Sequence, residues 1–347
     1  MNKSKILIIG LSLAVVVTTV LIVVYISRHP FRQTNVTTDK TQIIEVTKEK
    51  IFYPHLISLQ NAIEYLGDQG VRFKKYDLAS QEISDLFKMD VFGIQKVEYN
   101  LQGDRALVLV RQDDSFVYQV VDFAAQKTYR LNQTDIFSAA WLNDEQIIFS
   151  YSENEQGKIG QVKYDGSGVQ VLAIIDVFSA IIVPSPDQKS LIVYPEAEGY
   201  GANYLYLYNM SAKSLDKLAG NGYQSGAQWS PDGQKILTNT FDKNGQIKAL
   251  EVMEISSQKR RLVSSTSNLS KAIWLDNDKI ILTETQKNEN DQFALIDLGQ
   301  TLKTNFKTDF TNLSSNLTIN AQDLMLAPDN KTLYFTSNDW LYKLELQ

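Results

Sequence analysis

Two hydrophobic patterns follow one another along the chain. The first is a block: residues 6–26 are 21 consecutive positions without a charge, with Ser12, Thr18 and Thr19 as their small polar members. In a helix rising ~1.5 Å per residue such a run spans roughly 30 Å, about one bilayer hydrocarbon core. Lys3 and Lys5 precede it, and Arg28, His29 and Arg32 follow. A cleaved leader has a shorter apolar stretch of ~7–15 residues ending at a small-x-small site, whereas this run ends in Tyr25-Ile-Ser-Arg-His-Pro30. The pattern predicts a cytoplasmic tail and transmembrane signal anchor over 1–27 and a polar tether over 28–40. Basic residues nearly balance across the span, so the positive-inside rule hardly discriminates. A tiny tail before a long domain favours a single-pass protein of the cell membrane with its large domain extracytoplasmic.

The second pattern begins near Ile51 and consists of short β-type runs. Residues 105–111, 146–151, 190–194 and 279–283 are β-branched or aromatic, four to seven residues long, and bounded by turn residues. One weak helical stripe lies around 81–89. The domain is expected to be all-β.

Within it one unit recurs: a short apolar strand ending in a bulky residue, a turn, then a strongly hydrophobic strand. Its sharpest copy is Gln228-Trp-Ser-Pro-Asp-Gly-Gln-Lys-Ile-Leu237, with further copies at 183–192 and 326–334 and degenerate ones at 99–107, 141–148 and 274–281. The bulky positions Leu59, Tyr99, Trp141, Val183, Trp229, Trp274 and Leu326 are separated by 40, 42, 42, 46, 45 and 52 residues. Four-stranded propeller blades repeat at about 40–50 residues. The expected architecture is therefore a seven-bladed β-propeller over 41–347, preceded by one N-terminal transmembrane helix, with the seven bulky residues packing between blades. Only 21 residues follow Leu326, enough for strands at 332–337 and 340–346 but for no fourth. Residues 41–47 are a strand without a home, and pairing them with 340–346 would close the ring and remove an exposed edge.

The motif Trp229-Ser-Pro-Asp-Gly-x-x-Ile-Leu237 resembles the repeat of TolB-like propellers, a WD-repeat-like architecture also found in prolyl-oligopeptidase-like enzymes. The resemblance implies the fold and leaves the function open, because propellers host many activities. The extra N-terminal α/β domain of TolB itself has no counterpart, a span and a tether standing in its place.

Chemistry narrows the field. There are no cysteines and two histidines, His29 and His55, among 347 residues, which excludes disulfides, thiolate metal sites and cysteine nucleophiles. A serine triad would need one of those two histidines. The string Gly166-Ser-Gly168 reads as a hairpin turn and lacks the Gly-x-Ser-x-Gly elbow. Acidic residues at 113–114, 153 and 155, 276 and 278, and 289 and 291 read as solvated turn tips. No catalytic, cofactor-binding or metal-binding residue is expected, and no cofactor. Residues 1–32 hold four basic and no acidic side chains, leaving 30 basic against 40 acidic over 33–347, a net charge of −10. That charge repels phosphate backbones, so nucleic acid is not an expected partner.

The remaining signal is aromatic. An insertion over 196–204 followed by Tyr206 and Tyr208 concentrates tyrosines, and Tyr200, Tyr204, Tyr206 and Tyr208 form a candidate interaction surface. Against this, Tyr204, Tyr206 and Tyr208 alternate with Leu205 and Leu207 as in an ordinary strand. A long polar hairpin at 285–292 reads as a solvated loop. The expected function is a non-enzymatic, membrane-anchored scaffold at the cell envelope that binds an unidentified protein or peptide. Alternatives are a glycan-binding or glycan-processing propeller of the cell wall, and a self-associating structural subunit.

Overall fold

The structure, a computed structural model, describes residues 32–34, 41–91, 93–113, 115–133, 135–196, 204–218, 220, 224–242, 244–285, 289–306, 308–309 and 318–346. The span expected over 6–26 and Tyr200 lie outside these. Among the described residues no helix is long and apolar enough to cross a membrane.

Seven antiparallel sheets follow one another along the chain. Blades 1 to 5 comprise four consecutive strands each, over 52–88, 94–130, 136–175, 180–217 and 224–264. Blade 6 is built on 272–305. Blade 7 takes three strands from 322–345 and its outer strand from Thr41–Glu45, which lies antiparallel to Trp340–Glu345 with Ile43 opposite Leu344 and Ile44 opposite Lys343. First strands of neighbouring blades touch around the centre, and the contact of Gln322–Leu326 with Phe52–Ile57 joins blade 7 to blade 1. The molecule is a closed seven-bladed propeller.

Two blades carry a fifth strand. Arg32–Thr34, inside the stretch expected to be tether, runs parallel to Leu302–Asn305 on the rim of blade 6. Thr308–Asp309 runs parallel to Thr41–Glu45 on blade 7. Both fill backbone donors and acceptors that an outer strand otherwise leaves open.

The core is divided as the fold requires. Among the described residues seven apolar clusters form, each made by two adjacent blades: Tyr99, Val108 and Phe73 between blades 1 and 2, for example, and Ile63, Tyr65 and Tyr334 between blades 7 and 1. A blade is thus covered on both faces, which explains unbroken apolar strands such as Ala106–Leu107–Val108. Tryptophans tie the wedges together. The indole of Trp141 donates to the Glu98 carbonyl at 2.8 Å, that of Trp229 to Val183 at 3.0 Å, and that of Trp274 to Gln228 at 3.3 Å. Each acceptor lies on the first strand of the preceding blade. Tyr99, Trp229 and Trp274 are buried, while Trp141, Val183 and Leu326 are half-buried against the same clusters.

Two expectations need correction. Leu59 is 64% exposed, because Ser58–Gln60 winds into one 3-10 turn that carries it outward; Ile57, 1% exposed and paired with Ala62, packs in its place. The helical stripe at 81–89 is strand Ile83–Lys88, the outer strand of blade 1. A helix that short is marginal alone, and the open ladder of Arg72–Asp77 offers a full set of partners.

Candidate functional site

The topology defines two faces. On the lower face each first strand turns into the second through the recurrent turn whose sharpest copy is Pro231-Asp-Gly233. On the upper face first strands begin and second strands turn into third strands. The lower turns are satisfied internally and by the next blade, the Asp232 N–H donating to Asn277 Oδ1 at 3.0 Å and the Gln102 N–H to the Asp144 carboxylate at 3.2 Å. Gly233 sits at φ +68°, its N–H reaching the Ser230 carbonyl at 2.9 Å, and the Asp232 carboxylate accepts from Ser230 Oγ at 2.6 Å and the Gln234 N–H at 3.0 Å. Blade 4 repeats this with Ser185, Asp187 and Gln188. Gly166–Gly168 forms a turn of the same character, with Asp165 accepting from Ser167.

The upper face is different. In six blades a residue just before the first strand or within its first three positions is left-handed: Tyr53, Gly93, Asp135, Ser179, Gly226 and Asp323, with φ between +46° and +80°. Gly93 and Gly226 adopt this freely, but for Tyr53 (φ +51°) and Asp323 (φ +46°) it is strained. Both lie in bulges of their strands, between the Phe52 and His55 pairs and between the Gln322 and Met325 pairs. A bulge adds twist and re-aims side chains.

These two strained residues face one cleft of about 390 Å³ at the junction of blades 7 and 1. Its walls are Ile51, Phe52 and Tyr53 from blade 1, Asn320, Gln322 and Asp323 at the start of blade 7, and Thr336, Asn338 and Asp339 further along it. Asn338 and Asp339, both left-handed, are the two-residue tip of the hairpin joining Ser337 to Trp340, as a type I′ turn demands. Thr336 Oγ1 donates to the Asp323 carboxylate at 2.8 Å, Lys50 pairs with Asp339 at 2.9 Å, and the Tyr53 hydroxyl donates to the Ile94 carbonyl at 3.2 Å. Burial raises the Tyr53 pKa, so its phenol stays a donor.

A buried network supports this cleft from blade 6. Lys271 Nζ, in a side chain only 7% exposed, donates to Asp291 at 2.7 Å, Thr285 at 2.6 Å and Asn320 at 2.5 Å. Asp291 also accepts the Ala321 N–H at 2.9 Å, and the Asn320 N–H donates to Ser337 Oγ at 3.0 Å. Asp291 is therefore no solvated hairpin tip: it pins the start of blade 7 to blade 6.

A second titratable group is buried between blades 1 and 2. Glu64 is fully buried and neither carboxyl oxygen has a hydrogen-bond partner. Burial pushes its pKa up to about 8, with Asp104 adding to the rise and Lys75 opposing it. His55, its cross-strand partner, stacks on Tyr99 at 5.9 Å, and desolvation lowers its pKa. Glu64 belongs to the wedge interior, whereas the His55 ring keeps solvent access.

The tyrosine cluster does not form one surface. Tyr208 is 2% exposed and packs between blades 3 and 4, its hydroxyl donating to the Leu172 carbonyl at 3.4 Å, because it alternates inward along Tyr206–Asn209. It is corrected to a core residue. Tyr206 is half-buried against the same cluster. Tyr204 stays accessible with Lys217 Nζ 3.1 Å from its ring centre, a cation–π contact. The upper face instead exposes Phe116 (59%), Phe178 (54%) and Ile247 (45%), which begin third strands or precede a first strand. The cleft itself was not legible in the sequence; the recurrence of first-strand starts every 42 to 50 residues was its one available signal.

No family model matches the chain, and no curated protein is similar to it in sequence. Solved structures do resemble it. An oligogalacturonate lyase in complex with manganese aligns at a TM-score of 0.55 and 14% identity, covering 87% of this chain and 79% of its own. An oligogalacturonate lyase from Vibrio parahaemolyticus aligns at 0.53 and 12%, covering 88% and 80%. TolB from Acinetobacter baumannii aligns at 0.49 and 12%, covering 74% of this chain, which spans 62% of TolB. At these identities the lyase likenesses establish a shared fold and nothing about chemistry.

Proposed function

We propose that this propeller is a non-enzymatic binding scaffold that recognises a protein or peptide segment on its upper face. In this reading it is held at the cell envelope by the apolar span at 6–26, with the ring on the extracytoplasmic side. The observation that carries it is the cleft at the junction of blades 7 and 1. The cleft is concave and rich in hydrogen-bonding groups, and Tyr53 and Asp323 are held at its edge in strained backbone. Strain of that kind persists where surrounding structure over-determines it, often at ligand clamps. Amide and carboxylate groups suit an extended peptide's N–H groups and basic side chains, and exposed Phe116, Phe178 and Ile247 offer apolar anchor points on the same face.

The test is site-specific photocrosslinking in intact cells, with the probe at Gln322 on the upper face or Gln102 on the lower. A discrete adduct at Gln322, absent at Gln102 and weakened several-fold by Asp323→Asn, is expected. Equal adducts at both positions, or an adduct indifferent to Asp323→Asn, would count against the reading. The alternative, a glycan ligand, also finds support in the polar lining. Retention of the chain on cell-wall polysaccharide, lost in Asp323→Asn, would favour it.

A further inference from the structure

The rim of the ring is made by the outer strand of each blade. Arg32–Thr34 and Thr308–Asp309 cover the outer edges of blades 6 and 7. Blades 1 to 5 present Ile83–Lys88, Lys127–Arg130, Gln170–Ile175, Ser214–Lys217 and Arg260–Ser264 with no further strand among the described residues. Four of these five carry charges, the ordinary block against edge-to-edge pairing: Asp85 and Lys88, Lys127 and Arg130, Asp216 and Lys217, Arg260 and Arg261.

Blade 3 is the exception. Gln170-Val-Leu-Ala-Ile-Ile175 has no charge and no proline, and Val169, Val171 and Ile174 are 49%, 56% and 62% exposed. Three exposed β-branched residues on an open, uncharged edge form a template for another strand.

We propose that this strand pairs antiparallel with the same strand of a second copy of the chain. A two-fold axis sets an antiparallel strand against itself, so one patch serves as both halves of the contact. Two domains of net charge −10 repel through most of their surface, and the charge-free rim of blade 3 is where approach is opposed least. A bulge at Leu172, between the Val171–Gly160 and Ala173–Ile159 pairs, leaves two paired residues on one side and three on the other. The chain already fills two other rims with strands of three and two residues, so short segments are sufficient. One strand pair with its flanking side chains falls short of the ~1,000 Å² of a stable interface, so the dimer dissociates on dilution.

The absence of cysteine makes the test clean, since an introduced thiol is the only one. The full chain in mild detergent is oxidised as Val171→Cys and, for comparison, as Thr128→Cys on the charged rim of blade 2. Reductant-sensitive dimers at Val171→Cys, at least ~10-fold above Thr128→Cys, are expected. The unmodified chain should sediment with a mass rising from one towards two copies as concentration increases. Ile174→Lys, which puts a charge on the open edge of each copy, should weaken that association at least ~10-fold while leaving the melting temperature unchanged. A chain that stays monomeric overturns the proposal and leaves the edge to a strand of another protein. A dimer that survives Ile174→Lys, with equal cross-linking at both cysteines, overturns it also.

Discussion

Glu64 shows how much one side chain can contribute to the behaviour of the ring. Its carboxyl is buried without a partner, and its pKa is raised to about 8 in the folded state against an ordinary value of 4.5. A raised acid pKa means the folded chain binds more protons than the unfolded one between those values. Its stabilising share is therefore complete below pH 4.5 and is lost as pH rises through 8. Glu64→Gln keeps the shape and removes the titration. The wild type is expected to lose on the order of 3 kcal/mol between pH 5 and pH 9 relative to Glu64→Gln in urea unfolding. Equal pH slopes for the two proteins would show that the carboxyl is solvated. At this scale the sequence was partly readable. The Ser-Pro-Asp-Gly turn announces itself, since each of its residues has a distinct hydrogen-bonding or backbone role. The left-handed Tyr53 and Asp323 do not, because nothing in a tyrosine or aspartate away from a turn signals positive φ. Tyr208 also looked like its neighbours until the strand register turned it inward.

Among the elements, the joint between blades 6 and 7 depends on Lys271 and Asp291. Their side chains are 7% and 1% exposed, so removing one charge strands the other in a poorly solvated site. Asp291→Ala is expected to cost about 3–5 kcal/mol, whereas Lys271→Met combined with Asp291→Leu should cost much less, because no lone charge remains. Denaturant midpoints of the three proteins check this; a double variant as unstable as Asp291→Ala would mean that the network serves packing and not charge pairing. This joint was invisible in the sequence, where Asp291 sits in a run of Asn and Glu that reads as a solvated tip. Its partners, Thr285, Asn320 and Lys271, are up to 49 residues apart in sequence, and only blade stacking brings them together. Strand identity, by contrast, was legible, since short β-branched runs between turns have few other fates. The stretch at 81–89 was misread because periodicity cannot arbitrate so short a segment, and the neighbouring ladder decided it.

At the scale of the whole molecule, the ring and its candidate site are one construction. The blade count of seven followed from the spacing of bulky residues, even though Leu59 marked the wrong position in blade 1, because Ile57 lies only two residues away. The cleft was not legible, since its walls come from residues 51–53 and 320–339, at opposite ends of the domain. Closure makes them neighbours: Thr41–Glu45 completes blade 7, the Ile51 N–H reaches the Asp339 carbonyl at 2.8 Å, and Lys50 pairs with Asp339. This seam both closes the propeller and builds the cleft. Paired residues of an antiparallel ladder bring Cα atoms to ~4.5–5.5 Å, within disulfide reach. The most direct measurement is oxidation of the full chain carrying Ile44→Cys and Lys343→Cys, which face each other across the seam. The expected result is a near-quantitative intramolecular disulfide that raises the melting temperature and preserves cross-linking at Gln322. Free thiols in the folded chain, or a disulfide that forms only between molecules, would contradict it.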